Sequence, residues 1–389
     1  MRPRPALLIM LSSLAAAALA ATSAVAAAPP SSDGPQYQLA AAPAATDTDG
    51  DSLPDSWETN GYDANGDGVI DVDLKAMGAS PTKKDLFVEM DYMEGRLAST
   101  AALDRIVQVF ATAPVSNPDG TTGIKIHLDA GSARGAAYDL GGGNQVTYDA
   151  DLNPSATETN AIKAANFASA RKAVFYYMLW GDSYDGGCSS GQAFNVPNDT
   201  FIVTVGPKCG WNATDNYNVG TFVHELGHNI GLKHGGPDDV NYKPNYLSVM
   251  NYSFQLGGVL KADGSTYWGY SNVQPSSINE ARPDETIGLG SAASAFKTSW
   301  KCPDGTTRTT AGAASKPIDW NCDGDTADNT TPADINGDQS NTILIAQNNW
   351  ANIVFGGGAV GQGSSVQAKT PASELKELTH DEWTSLQHR

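Results

Sequence analysis

One stretch of eleven residues determines the fold and chemistry of this chain, His224-Glu225-Leu226-Gly227-His228-Asn229-Ile230-Gly231-Leu232-Lys233-His234. His224 and His228 are four positions apart, so on a helix both imidazoles project from one face, where they suit a zinc ion. Gly231 allows a positive φ that ends the helix, after which the chain turns and delivers His234 as a third ligand. Three nitrogen ligands leave one tetrahedral position open for water, as in catalytic zinc sites.

The same stretch supplies a candidate catalytic base. Glu225 follows the first ligand directly, where its carboxylate can reach an activated water but cannot easily bind the metal, so we expect it to act as general base. A single histidine is more often structural than a ligand, yet half of the six histidines fall in this stretch. The other three, His127, His380 and His388, are assigned no chemical role.

A second motif follows, Ser248-Val249-Met250-Asn251-Tyr252. The pattern H-E-x-x-H-x-x-G-x-x-H is the metzincin signature, and S-x-M-x-Y resembles the Met-turn of the astacin and serralysin branches. The resemblance implies that Met250 forms a hydrophobic floor under the metal histidines. It also implies that Tyr252 is a fifth, switchable zinc ligand that can move to the transition-state oxyanion.

The resemblance covers about residues 85–260 and implies an α+β fold of the metzincin type. Such domains have a twisted, mostly parallel five-stranded sheet, a backing helix and an active-site helix, here followed by an irregular C-terminal subdomain. Hydrophobic periodicity indicates strands and helices in matching places. The predicted strands are 85–92, 123–129, 173–180 and 200–205, and the predicted helices are 100–112, 158–172, 217–230 and 372–388. The helix 158–172 is not in the minimal family pattern, and Gly235 follows His234 where astacins carry an acidic residue.

The function implied is that of a secreted zinc endopeptidase that cleaves a protein or peptide lying extended along an edge strand. No cysteine precedes Cys188, so latency through a cysteine switch is not expected. Two other hypotheses stay open. One is a non-enzymatic, calcium-stabilised adhesion or binding module with a relict zinc site, and the other is a zinc hydrolase that acts on a bond other than a peptide.

Acidic repeats indicate calcium as a second cofactor. Oxygen donors stand at the EF-hand loop positions 1, 3, 5, 9 and 12 in the first repeat, which is formed by Asp47, Asp49, Asp51, Asp55 and Glu58. Ser52 replaces the usual glycine, so a thrombospondin- or dockerin-like loop fits better than an EF-hand pair. A second, weaker repeat contains Asp63, Asn65, Asp67 and Asp71, and two partial ones contain Asp319, Asn321, Asp323, Asp334, Asn336 and Asp338. The alternative is a set of acidic turns that bind no metal.

Composition excludes several classes. The chain has 389 residues and a formal net charge of −19, which argues against nucleic-acid binding. Arg2 and Arg4 precede an apolar run and small residues that end at Ala26, the layout of a signal peptide. An uncleaved membrane anchor is the alternative. After cleavage we expect an extracellular monomer that contacts no membrane.

The four cysteines, Cys188, Cys209, Cys302 and Cys322, are expected to form two disulfides in such a chain. Three connectivities are open, and we favour the local pairing Cys188–Cys209 and Cys302–Cys322, while free thiols or a zinc-thiolate site fit less well. The expected domain order is a signal peptide (1–26), a linker (27–46), an acidic calcium-loop segment (47–80), a catalytic domain (81–260) and a loop-rich C-terminal region (261–389).

Overall fold

The computed structural model describes residues 45–361, 370–371 and 376–387. The expected signal peptide, nearly all of the linker and His388 lie outside the described residues. The helices are α1 (Asp55–Asn60), α2 (Leu74–Met77), α3 (Thr100–Ala111), α4 (Ser155–Asn166), α5 (Asp215–Asn229) and α6 (His380–Gln387). The longer strands are β1 (Asp85–Met93), β2 (Lys125–Asp129), β4 (Phe175–Trp180), β5 (Gly191–Ala193) and β7 (Thr200–Val203). The two-residue strands are β3 (Gln145–Val146), β6 (Asn195–Val196), β8 (Val259–Leu260), β9 (Thr266–Tyr267), β10 (Ile278–Asn279), β13 (Ile343–Leu344) and β14 (Thr370–Pro371), and β11 (Ser299–Lys301) and β12 (Thr307–Thr309) form a hairpin.

A mostly parallel sheet forms the centre of the fold, as expected for a mixed α/β chain. Its order is β2-β1-β4-β7-β5, and the short β3 also pairs with β1, which makes six strands instead of the expected five. All pairs are parallel except β5 with β7, so β5 is an antiparallel edge strand. Strand β1 is buried along almost its whole length because helices and loops cover both faces of a parallel sheet.

Helices α3 and α5 pack on the same side of the sheet and share its largest core. Ser99 caps α3 by accepting a hydrogen bond from the amide of Ala102, and Leu103, Ile106 and Phe110 form its buried stripe. Thr214 caps α5 in the same way, accepting from the amide of Tyr217. These caps satisfy amides that the first turn of each helix leaves unpaired.

The predicted helix 158–172 is wrong in its extent. Helix α4 spans Ser155–Asn166 and a separate 3₁₀ turn follows at Ser169–Ala173. Phe167 interrupts the helix because its backbone is extended, with φ −87° and ψ 114°, while its ring packs 5.4 Å from Tyr177 in a second core. Burial of this ring outweighs continuation of the helical pattern.

Strand β2 carries polar residues on one face, which an alternating pattern would leave in contact with solvent. Of the three polar residues on that face, Lys125 is exposed, but His127 and Asp129 are buried. His127 lies 2.5 Å from the Asp85 carboxylate, and Asp129 pairs with Arg171. Buried side-chain partners, Asp85 and Arg171, therefore take the place of water as the contacts of these two polar residues.

A third core holds the loop-rich region that follows the sheet. Its long loops contain short hairpins, and buried Glu280 accepts hydrogen bonds from the amides of Ile335, Asn336 and Thr342. The Glu280 carboxylate thus accepts hydrogen bonds from buried amides that in a regular β-sheet would pair with a neighbouring strand.

The structure contains the two disulfides that the local spacing predicts, Cys188–Cys209 and Cys302–Cys322. Two disulfides fit an oxidising, extracellular environment. No helix within the described ranges is long and apolar enough to cross a membrane.

Arg171 is the cation between two buried carboxylates, those of Glu89 (2.5 Å) and Asp129. Replacing it by Met should lower the free energy of unfolding by about 3–5 kcal/mol, because two buried acids lose their counter-charge. Urea denaturation measures this loss. The control Lys261→Met removes an exposed pair with Asp263 and should change stability by less than about 1 kcal/mol. Equal losses in both variants would contradict the assigned role of Arg171.

Candidate metal centre

Helix α5 can approach its neighbours closely because two of its residues lack a side chain. A Cβ on Gly220 would lie 2.1 Å from the carbonyl oxygen of Gln255. A Cβ on Gly227 would lie 2.4 Å from Met250 Sδ and 2.9 Å from the ring of Tyr270. Both distances are far below van der Waals contact, so glycine is required where the Met250 turn passes beneath the helix.

The end of α5 redirects the chain toward the third histidine. Gly231 has φ 90°, and its amide donates to the carbonyl of His228 while the Leu232 amide donates to that of Gly227. These two bonds form a Schellman motif, which needs a left-handed residue at the glycine position. The reversal returns His234 to the face that carries His228.

Three buried imidazoles converge at this point. His228 Nε2 lies 3.1 Å from both His224 Nε2 and His234 Nε2. His224 Nδ1 donates to the carbonyl of Val249 (2.9 Å), and His228 Nδ1 donates to that of Leu232 (2.8 Å). Burial lowers the pKa of His224 and His228 and keeps both rings neutral. Since their protons are on Nδ1, the Nε2 lone pairs of both rings face the common centre.

The donor set fits a tetrahedral metal ion. Nitrogen ligands at metal distances of about 2.0–2.1 Å lie roughly 3.3 Å apart in a tetrahedron. The observed nitrogen separations of 3.1 Å are close to that value. Lone pairs held this close repel each other unless a cation lies between them, so the residues present can hold a metal ion here.

Glu377 is a fourth donor that the sequence motifs did not predict. Its Oε2 lies 3.4 Å from His224 Nε2 and 3.5 Å from His234 Nε2, and its Oε1 lies 3.6 Å from His228 Nε2. The side chain is buried, and burial alone would raise its pKa, but the close approach of the three facing histidines holds that pKa well below its usual value. The group of residues that can hold a metal is therefore three histidines and a glutamate. Nothing in the local sequence marks Glu377, because it reaches the site only through the tertiary fold.

Glu225 is fully buried beside this group. It packs so tightly on β5 that a Cβ on Gly191 would lie 2.8 Å from its Cγ. Neither of its carboxylate oxygens has a well-formed hydrogen bond. Burial, together with the neighbouring Glu377 carboxylate, raises its pKa well above the usual value, although the Ala193 amide opposes the shift. A buried carboxylate without a well-formed hydrogen bond is costly, so its presence here points to a chemical rather than a packing role.

Tyr252 also reaches the site, at the edge of the histidine group. Its hydroxyl lies 3.3 Å from His234 Nε2 and 3.3 Å from Glu377 Oε2. It donates a hydrogen bond to the carbonyl of Lys376. Burial raises the pKa of Tyr252 well above its usual value, which keeps the phenol protonated. The structure thus brings the expected fifth ligand to the site with its hydroxyl already engaged.

A comparison of the chain with protein-family models and with curated proteins found no match. The assignment of this centre therefore depends on the residues and the geometry described above.

A second acidic group lies where the N-terminal segment meets the sheet. Ligand atoms of Asp51, Glu58 and Asp85 lie within 4.8 Å of one another, and Asp47, Asp49 and Asp51 form an overlapping group. Burial is the main cause of raised pKa values for Glu58 (about 9), Asp51 (about 8) and Asp49 (about 6).

Glu58 is the acid of this group whose charge is least compensated by the surrounding residues. It is 1% exposed, and neither of its carboxylate oxygens has a hydrogen bond. Asp55, which the loop pattern assigned to the same site, instead binds the amide and hydroxyl of Thr48. Asp85, the first residue of β1, joins the group although the loop pattern did not include it. Asp51 connects the two segments by accepting the Asp85 amide at 2.7 Å.

The other three acidic repeats form self-contained turns. In the second repeat, Asp63 accepts hydrogen bonds from the amides of Gly66 and Gly68 and is exposed. Asn65, Asp67 and Asp71 likewise accept backbone amides of their own loop. In the partial repeats, loop donors bind Asp323, Asp334, Asn336 and Asp338, and Asp319 pairs with Arg308 at 2.8 Å. Within the described residues, none of these acids belongs to a group of three or more carboxylates or histidines that could hold a metal.

We expect one tightly bound transition-metal ion per chain, measured by elemental analysis after dialysis. His228→Ala should lose this metal because it removes the donor common to both 3.1 Å contacts. The control His380→Ala removes a half-buried ring that packs on Trp211, 4.8 Å away, and should retain it. Full metal retention in His228→Ala would exclude this centre.

Proposed function

We propose that this chain is a secreted, zinc-dependent endopeptidase. One observation carries the proposal, namely that three buried imidazoles converge on one point beside the buried carboxylate of Glu225, which has no well-formed hydrogen bond. The metzincin-like motifs and the Met250 turn beneath α5 support the same interpretation. Two disulfides support an extracellular location.

His224, His228 and His234 would hold the zinc ion. When bound, zinc supplies a Lewis acid that activates water and polarises the scissile carbonyl. Glu225 accepts a proton as general base and passes it to the leaving amine. The Tyr252 hydroxyl, once released from the Lys376 carbonyl, donates a hydrogen bond to the developing oxyanion. An extended peptide would pair with the edge of the sheet at β5, next to Glu225.

A relict or structural zinc site is the main competing function, and Glu377 is the observation that favours it. Four protein ligands are typical of structural zinc sites, whereas catalytic sites keep one position open. Glu225 opposes this alternative, because a purely structural site gains nothing from a buried carboxylate that lacks a well-formed hydrogen bond. Turnover therefore distinguishes the two functions.

Casein cleavage should require both the metal and Glu225. We expect o-phenanthroline to abolish cleavage, and Glu225→Gln to lower kcat by about 10²–10⁴, the usual contribution of a general base. Zinc content should be unchanged in that variant because Glu225 is not a ligand. The assay uses the full chain and the Glu377→Ala chain, with Glu158→Gln as the control. Turnover that survives Glu225→Gln would reject the proposed mechanism.

We also propose that calcium binds the acidic group formed by Asp49, Asp51, Glu58 and Asp85. Carboxylate oxygens are the ligands that calcium prefers, and a divalent ion would offset their mutual repulsion. The ion would join the N-terminal loop to β1, an interior strand of the sheet. Its role would be stability, because none of the four acids belongs to the histidine group.

Calcium should raise the thermal stability of the chain, and Glu58→Gln should remove most of that effect. At a concentration of 100 times the Kd, one site adds about 2.7 kcal/mol to the free energy of unfolding. Differential scanning fluorimetry with and without calcium measures the shift, and Glu94→Gln, an exposed site, is the control. An equal calcium response in Glu58→Gln would refute the site.

A further inference from the structure

We propose that the segment 376–387 is a built-in inhibitor whose Glu377 occupies the fourth ligand position, so that the described conformation is the latent state. The proposal depends on the proposed function, since it describes the regulation of the same site. It makes Glu377 a displaceable ligand instead of a permanent one.

The first argument is the position of the Glu377 carboxylate. Its oxygens lie 3.4–3.6 Å from all three histidine nitrogens, close to the separation of about 3.3 Å between tetrahedral ligands. A carboxylate in this position closes the vertex that water needs. The side chain is buried, so solvent does not compete with it in this conformation.

The second argument is that the segment runs along the sheet edge like an extended peptide. The Ser190 amide donates to the Leu378 carbonyl (2.9 Å), and the His380 amide donates to the Cys188 carbonyl (2.9 Å). An antiparallel bridge joins Ser189 and Thr379. These residues lie directly before β5, the antiparallel edge strand beside which Glu225 is buried. Strand addition at such an edge is a general mode of peptide binding, so the segment occupies the path open to a substrate.

The third argument is that the segment is held in place directly after Glu377. Leu378 is fully buried in the main core. Thr379 and Glu382 form a reciprocal capping box at the start of α6, with the Thr379 amide 3.0 Å from Glu382 Oε2. Farther along, Trp383 Nε1 donates to the Tyr217 hydroxyl at 3.1 Å. A helix that starts three residues after Glu377 therefore holds the carboxylate at the metal centre.

The catalytic groups indicate that this arrangement must open. With Glu377 in place, Glu225 faces a second carboxylate and has no well-formed hydrogen bond, and Tyr252 is bound to the Lys376 carbonyl. Departure of one segment would free the fourth ligand position, the sheet edge and the Tyr252 hydroxyl together. All three are needed for hydrolysis of an extended peptide, which explains why one segment blocks all of them.

The test measures binding of a peptide hydroxamate, a chelator that needs the vacant position, to the zinc-loaded full chain. If the segment is in place 99% of the time, the apparent affinity is lowered on the order of 100-fold. Glu377→Ala should recover at least about tenfold of this loss. Thr379→Ala removes the N-cap of α6 but leaves all metal-binding side chains in place, and it should recover about fivefold in hydroxamate affinity. Asp381→Asn, whose side chain is fully exposed, is the matched control and should recover nothing.

Zinc affinity, measured by competition with a chromophoric chelator, separates the outcomes. The proposal predicts that Glu377→Ala keeps zinc and gains hydroxamate binding. Loss of zinc without that gain would make Glu377 a permanent structural ligand and overturn the proposal, as would equal hydroxamate affinity in both chains. A gain in hydroxamate binding without peptide cleavage would support the inhibitor and reject the peptidase. Circular dichroism verifies that each variant is folded.

Discussion

The metal centre depends on the repulsion among imidazole lone pairs that the backbone forces together. The carbonyls of Val249 and Leu232 each accept an Nδ1 proton, which turns the Nε2 atoms of His224 and His228 inward. The surrounding backbone fixes these carbonyls, through the Met250 turn on one side and the Gly231 reversal on the other. A cation at the centre would be attracted by the same lone pairs. The two main-chain oxygens therefore determine the binding site, because they orient the imidazoles.

Close packing around α5 also fixes the positions of the histidines. Gly220 and Gly227 leave no room for a Cβ, so the helix rests directly on the turn that carries Val249 and Met250. The sheet supports the helix from the other side, through the buried core that α3, α5 and β7 share. Ligand geometry is thus a consequence of backbone contacts that tolerate little movement.

In the acidic group near the N-terminus, the fold likewise holds side chains close together that repel one another, here carboxylates. Asp51 accepts the amide of Asp85, and the two acids face Glu58 at the start of β1. Acids placed this close without a counter-charge destabilise the fold, and a hard divalent ion is the partner that their oxygens suit. The fold therefore contains two groups of closely spaced side chains that repel one another. One group consists of nitrogen donors, and the other consists of oxygen donors.

In the proposed latent state, Glu377 completes the candidate metal centre and blocks it at the same time. The carboxylate adds the fourth donor, while the backbone around it covers the strand edge and binds the Tyr252 hydroxyl. A single segment can do this because the Lys376 carbonyl that binds Tyr252, the Glu377 carboxylate and the bridge residue Thr379 lie within four consecutive residues.

The sequence alone predicted the three histidines that converge, the glutamate buried beside them, the Met250 turn and the local disulfide pairing. Each of these follows from residues within about twenty positions of one another, where helix periodicity, turn chemistry and loop length fix the relative geometry. The mostly parallel sheet also followed, because buried strands alternating with amphipathic helices leave few other topologies.

Only the tertiary structure decided the remaining features. Glu377 and Asp85 join their sites from elements far away in the chain, and no local pattern encodes such a contact. The buried polar face of β2 and the break of α4 at Phe167 likewise depend on partners that packing supplies. The physical reason is the same in each case. Long-range burial sets the environment of a side chain, and short-range periodicity reports only the face from which it projects.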